Sequence, residues 1–311
     1  MNLKDLVDIG MKIYDCRRWI NYRCVLVFLC RCYCNKKHVR VFQEFFGKTP
    51  LRRKFLHQHP KVFAQLSRQW LFRGSHISQR LNAAVTSWQY MEKVIPERVL
   101  EKIYVQEQDS WTLWEEVIEG KKLSLEVNFL DGEIKEGCLT VSLIWGGVTV
   151  YHINFWLTDS MPGCQERQEL SACIGCHQGS RDGLGVNKLL TKKLYGCRPK
   201  NFVYLGFLYF LQAMGINKLY AVSNYGFYAN NHFRKDRKLK VSYDEFWKSC
   251  HGALSSDKRF YVLPVQEFRK AQGDLPTKKR AVYRKRYELL DEVREFVQSS
   301  VLVARDKQEK I

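Results

Sequence analysis

The chain has 311 residues, 45% hydrophobic and 14% aromatic, a formal net charge of +19 and a mean hydropathy of −0.37. That much apolar and aromatic side chain excludes a disordered polypeptide, and the length suits one large domain or two modest ones. The charge is uneven, +13 over residues 1–100, −8 over 101–170 and +14 over 171–311, so the surplus favours an anionic partner: RNA, anionic lipid, a lipopolysaccharide precursor or a phosphate-bearing cofactor.

Residues 1–105 read as a helical, basic N-terminal region. Leu3, Leu6, Ile9 and Ile13 keep helical spacing. Val62, Leu66 and Leu71 belong to a second helical stretch, and Leu81, Val85 and Trp88 to a third. The first twenty residues carry acids inside their apolar stretch and lack a small-residue cleavage site, so no secretory signal is expected. Residues 24–30, CVLVFLC, are the most apolar run, bounded by Arg23 and Arg31. The run falls far short of the ~20 residues a spanning helix needs. It reads as a buried helix segment, with a shallow membrane-surface contact as the alternative. Eleven cysteines are an odd count in a long chain. They fit a reducing cytoplasm better than a disulfide framework, so the expected location is the cytoplasm, with peripheral contact at the inner membrane as a variant.

Residues 106–270 read as an α+β core. Leu123, Leu125, Val127 and Phe129 alternate with polar residues, which predicts a half-buried strand. Asp131-Gly132 marks a turn, and Leu139, Val141 and Leu143 begin a second strand. Gly146-Gly147 suits a two-residue hairpin loop, after which Tyr151, Ile153, Phe155 and Leu157 alternate on a third. A fourth runs over 169–177, completing an antiparallel meander. A short helix follows at 186–195. Pro199 then precedes a helix at 202–214 that is apolar nearly all round and therefore buried, with Gly215 at its C-cap. Short buried strands are expected at 219–223 and 260–263. Residues 271–311 read as a long amphipathic helix with Val282, Leu289, Val293, Phe296 and Val297 as its apolar stripe.

Cys173-Ile-Gly-Cys176-His177 has c-type haem spacing, but lies in a predicted strand with no export signal. A zinc site needs a second ligand pair, and Cys197 and Cys250-His251 stand at no recognised spacing. Cys30, Cys32 and Cys34, with Cys24 and His38, also lack a distant second pair. We read Cys30, Cys32 and Cys34 as buried free thiols, and expect neither metal nor haem in the chain. The Gly-rich stretch Ser180-Arg181-Asp182-Gly183-Leu184-Gly185 follows a strand and opens a helix, which suits either a tight connection or a phosphate cradle. His152 and His177 are candidates for acid–base work or for hydrogen-bonded structural roles. No Ser-His-Asp or Cys-His arrangement can be assembled.

The order of elements resembles the Gcn5-related acyltransferase fold. There the coenzyme A pyrophosphate sits on Q/R-x-x-G-x-G/A after the fourth strand, whereas Ser180 stands at the first position here. That likeness makes Gln178, Gly179, Ser223 and Asn224 binding candidates beside a pantetheine slot, and acyl-CoA or acyl carrier protein the alternative to having no cofactor. Arg198 is a further candidate, placed to meet a carboxylate or phosphate at a helix N-terminus. Lys279, Arg280, Arg284 and Lys285, interleaved with Tyr283 and Tyr287, are candidates for anion binding.

Several stretches together resemble the VirK/YbjX family of bacterial virulence-associated proteins. They are Ile174-Gly175 with Gln178-Gly179, Leu190-Thr191-Lys192, residues 195–200 (YGCRPK), residues 221–224 (AVSN), residues 243–247 (YDEFW), Leu263-Pro264 and residues 279–287 (KRAVYRKRY). The resemblance covers most of the chain. It implies a cytoplasmic protein tied to the production of surface virulence factors and to envelope defence against cationic peptides. It implies no established reaction and carries no catalytic residues over.

Overall fold

The N-terminal third is helical because apolar side chains recur every three or four residues along it. In the computed structural model, which describes residues 3–14, 16–106, 109–162, 169–180, 183–230 and 242–306, it comprises α1 (Leu3–Ile13), α2 (Trp19–Cys34), α3 (Lys36–Gly47), α4 (Pro50–Gln58), α5 (Ala64–Ser67), α6 (Ile77–Val94) and α7 (Glu97–Tyr104). Thr49 caps α4 by accepting from the Arg52 amide at 3.3 Å, with Pro50 in the first helical position. Two expectations need correcting. Leu71 is not helical: its φ is +72°, and its amide donates 2.7 Å to the Lys135 carbonyl. The 24–30 run is helical but only half buried. Val25 and Phe28 face the core, while Leu26 is 61% exposed and continues an outward apolar stripe with Trp19, Ile20 and Tyr33.

An eight-stranded sheet follows, in the order β1-β2-β3-β4-β5-β6-β8-β7. Its strands are β1 (Trp111–Ile118), β2 (Lys121–Asn128), β3 (Leu139–Trp145), β4 (Val148–Thr158), β5 (Ser171–Gly179), β6 (Lys218–Val222), β7 (Ala253–Leu254) and β8 (Phe260–Leu263). The meander has five strands rather than four. β5 and β6 run parallel, and the other paired neighbours are antiparallel. Gly146 and Gly147 form the two-residue turn between β3 and β4 with φ of +59° and +81°, the backbone a type I′ hairpin requires.

The two faces of the sheet differ in chemistry. Leu123, Leu125, Val127, Val141, Leu143, Ile153 and Phe155 share one face. Against it lies α9 (Pro199–Ala213), whose Phe207 ring sits 4.9 Å from that of Phe155. The opposite face carries Ser124, Glu126, Asn128, Thr140, Ser142, His152 and Asn154. It is covered in part by α6, whose Ser87 Oγ accepts from the Leu157 amide at 2.9 Å. These buried polar groups stay tolerable because they bond one another, as Thr140 Oγ1 does in donating 2.7 Å to Asn154 Oδ1.

The helix α8 (Leu184–Lys193) precedes α9, α10 (Tyr243–Ser249) follows β6, and α11 (Thr277–Asp306) closes the chain. Arg181 and Asp182 of the Gly-rich stretch lie outside the described residues. α9 ends in a Schellman motif, with Gly215 and Ile216 amides returning to the Gln212 and Leu211 carbonyls at 3.0 and 2.9 Å. α11 packs on α9 and β1 through Leu289, Leu290, Val293, Val297 and Val301. Val282 and Phe296, expected on that stripe, are instead 43% and 53% exposed. No helix among the described residues is long and apolar enough to cross a membrane.

Candidate functional site

The site begins where two parallel strands separate. β5 pairs with β6 from Ser171↔Lys218 to Ile174↔Ala221 and no further, although β5 continues to Gly179. A bulge makes the departure. Asn154 faces Cys176 and Phe155 faces Ile174, so Gly175 is left without a partner on β4. Only glycine fits there, since a Cβ would run into the Glu136 carbonyl oxygen and lie 2.9 Å from Trp156.

α10 stands in the gap. Trp247, fully buried, donates from Nε1 to the Val222 carbonyl at 3.0 Å, one residue past the last β5–β6 pair. Its ring lies 6.1 Å from that of His177 on β5. Phe246 meets the same imidazole at 4.6 Å and Tyr204 of α9 at 5.7 Å. Tyr243 reaches Cys176, which shares the polar face with Asn154. One short helix thus plugs the inner part of the separation from both faces.

Around the plug lies a buried polar cluster. Burial raises the Glu136 carboxyl to about 7, with the Cys176 thiol bonded to it and the Glu133 charge nearby. Its Oε2 has no hydrogen-bond partner. The Tyr243 hydroxyl lies beside the Cys176 thiol and the Gln178 amide but meets neither in good hydrogen-bond geometry. His177 is pushed down to about 3 by burial, then by the nearby His152 and Lys200 charges. His152 is lowered by burial, against the pull of Glu133. Both imidazoles are therefore neutral near pH 7. Nε2 of each ring is buried without a partner, while His177 also has a hydrogen bond with the Lys200 backbone. Burial also raises Cys173 and Cys176 well above the usual thiol range, so neither is a thiolate nucleophile. Among the described residues no three His, Cys, Asp or Glu side chains gather as a metal site. The buried-thiol expectation holds for Cys32 but not for Cys30 and Cys34, which are exposed, while Cys173, Cys176 and Cys197 are also buried free thiols.

A basic cleft of about 460 Å³ opens at the outer end of β5, between α8 and the start of α9. Lys188, Arg198 and Lys200 line it with Tyr151, Asn187 and Thr191, and among the described residues no carboxylate does. Arg198 is the N-cap residue of α9, its side chain free of any capping bond. The cations thus gather beside the partial positive charge of a helix N-terminus. The start of α11 leans on the turn that leads here. Arg286 Nε donates 3.0 Å to the Tyr195 carbonyl, and Lys285 Nζ sits 5.9 Å from the Tyr195 ring.

The structure brings Gln178, Gly179 and Arg198 to this end of the sheet and separates them from Ser223 and Asn224. Ser223 Oγ donates to the Lys258 carbonyl at 2.7 Å and accepts from the Gly226 amide at 3.0 Å. Asn224 ties the connection into α10, its amide donating to Asp244 and its Oδ1 accepting from the Tyr243 amide, both at 2.8 Å. Asn224 thus spends these polar atoms holding α10 in place, and Ser223 spends its hydroxyl holding the turn after β6 to the Lys258 carbonyl. On α11, Lys279, Arg280, Arg284 and Lys285 are exposed. Arg284 pairs with Glu288 at 3.8 Å, and Arg280 Nε donates 3.2 Å to the Leu275 carbonyl. Sequence reasoning missed Glu136 and Tyr243. Tyr243 sits in the 243–247 stretch that carried the family resemblance without a role, and Glu136 sits in an acidic turn beside Gly137.

A family model described as a protein of unknown function, DUF535, matches residues 17–299, and the chain belongs to that family. It is the VirK/YbjX family that the motifs indicate. The chain is 31% identical over 179 residues to the uncharacterized protein YbjX of Escherichia coli strain K12, covering 56% of this chain and 52% of that one. Two uncharacterized proteins of Haemophilus influenzae are 28% and 32% identical over 40% and 34% of this chain, and 40% and 35% of their own lengths. The aligned parts span about half or less of these relatives. No solved structure matches the chain.

Proposed function

We propose that this chain is an acyltransferase of Gcn5-related architecture that takes its acyl group from a phosphopantetheine thioester, acyl-CoA or acyl carrier protein. The observation that carries the reading is the separation of β5 from β6 after Ile174 and Ala221. It leaves the outer backbone of β5, at Gln178 and Gly179, unpaired on the β6 side, where an extended pantetheine amide chain can add hydrogen bonds. The cleft lined by Lys188, Arg198 and Lys200 suits the phosphates at the near end of that arm. The α10 plug limits how far the arm penetrates. Glu136, held near 7, and the unpartnered Tyr243 hydroxyl suit a general base and a general acid for an amine acceptor and the leaving thiolate. Calorimetric titration with acetyl-CoA tests it. Saturable binding that weakens at least about tenfold in Arg198→Ala supports the reading, and absence of binding by acyl-CoA and by acyl carrier protein removes it.

At the level of the cell, we propose that the protein works in the bacterial cytoplasm on the production or display of a surface factor and on envelope defence, as the family resemblance implies. A deletion strain should gain sensitivity to cationic peptides, reversed by the wild-type gene and not by one encoding Glu136→Gln. Reversal by both genes would detach this role from the catalytic reading.

A further inference from the structure

A second basic cavity, of about 650 Å³, lies between the helical N-terminal region and Tyr228-Ala229 of the connection that follows β6. Arg31, Arg68, Arg80 and His76 line it, and among the described residues no carboxylate does. The first residues of α6, an 18-residue helix, open onto it. Arg80 is 5% exposed, and its guanidinium donates to the carbonyls of Gln65, Leu66 and Ser75. Those carbonyls occupy most of its donors, and among the described residues no carboxylate is paired with its charge. The Arg31 charge beside it adds repulsion, and with burial lowers Arg80 to about 10. Arg31 Nη1 donates 2.8 Å to the Ser67 carbonyl and Arg68 Nε 3.0 Å to the Tyr14 hydroxyl, again neutral acceptors. Burying a guanidinium without an opposite charge is costly, and here the cost is raised by a second cation and a helix N-terminus of the same sign.

We propose that this cavity binds a phosphate-bearing small molecule, whose anion sits between Arg31, Arg68 and the start of α6 and supplies the charge that Arg80 lacks. Guanidiniums match phosphate oxygens in paired hydrogen bonds. Trp70 and Tyr228 in the same wall offer flat faces for a base or sugar ring. The site is independent of the acyl-donor reading, since none of its residues lines the α8–α9 cleft.

The test is calorimetric titration of the full chain with inorganic pyrophosphate and with ADP, in wild type and in the Arg31→Gln/Arg68→Gln double variant. Arg80 is left intact because its bonds hold the 65–75 segment, and a thermal melt checks that the double variant folds. The expected result is saturable binding that weakens at least about tenfold in the double variant. Tighter binding of ADP than of pyrophosphate assigns the ligand to the nucleotides, and equal binding assigns it to the phosphate alone. Absence of saturable binding by both probes overturns the proposal. So does an affinity that falls in Arg198→Ala and not in the double variant, which would place the phosphate in the other cleft.

Discussion

The indole of Trp247 donates 3.0 Å to the carbonyl of Val222, one residue beyond the point where β6 stops pairing with β5. A side chain thus takes the place of a strand, satisfying a carbonyl at the separation and filling the space beside His177. Trp247→Ala should destabilise the protein by about 3–5 kcal/mol, the usual cost of emptying a buried aromatic site. Trp247→Phe keeps most of the volume and loses the hydrogen bond, so about 1–3 kcal/mol is expected. Urea unfolding of both variants checks this, and equal losses would mean that packing contributes little beyond the bond.

Glu136 sets a pH dependence of definite sign. Its folded value is raised from 4.5 to about 7, so between those values the folded chain holds a proton that the unfolded chain has lost. Stability from this group is full below pH 4.5 and falls as pH rises through 7, by ~3 kcal/mol as an upper bound. Glu136→Gln, uncharged at every pH, should be more stable than wild type at pH 8 and equal to it near pH 4.5. Denaturant midpoints of the pair across pH 4.5–8 give the difference directly, and a constant offset would show that the carboxyl is ionised throughout.

His177 acts with the opposite slope. Its folded value is lowered to about 3 from 6.5, so its contribution is full above pH 6.5 and is lost as pH falls toward 3. In a Glu136→Gln background, His177→Phe should flatten the acid limb of the stability curve between those values. An unchanged acid limb would show that the imidazole protonates in the folded state.

The strands of the meander were legible because their alternation is local. Leu123, Leu125 and Val127 face one way and Ser124 and Glu126 the other, and the structure keeps that order. β1 was not legible, because its register shifts between Thr112 and Trp114 and leaves Leu113 and Trp114 buried side by side. The 24–30 run misled for a related reason. Its apolar residues circle α2, which has only one side to bury, so Leu26 and Val27 face outward. Of the candidate site, the order of elements singles out Gln178, Gly179 and Arg198, which lie at the outer end of β5 and the start of α9. It does not single out Glu136 and Tyr243, since they lie far apart in sequence and meet only because Gly175 bulges and α10 turns into the gap.

Arg198 is exposed, and its side chain makes no capping bond. Arg198→Ala should leave stability within about 0.5 kcal/mol of wild type while removing biological activity. Thermal melting together with a complementation assay checks both halves, and an unfolded variant would make Arg198 a structural residue.

The start of α11 offers a separate cationic surface. Replacing Lys279, Arg280, Arg284 and Lys285 by Gln should weaken binding to RNA or anionic vesicles and flatten its salt dependence, because fewer counterions are released. Binding of wild type and the quadruple variant at two salt concentrations decides this. Equal affinity and equal slope would leave these cations as a solvated helix face.

The most direct measurement is amide hydrogen exchange of the full chain with and without acetyl-CoA. A thioester arm lying along the free edge of β5, with its phosphates in the α8–α9 cleft, should slow exchange in peptides covering residues 176–180 and 196–201. Protection absent from both segments, in the presence of saturating acetyl-CoA, would contradict the assignment of the separated strands as the donor site.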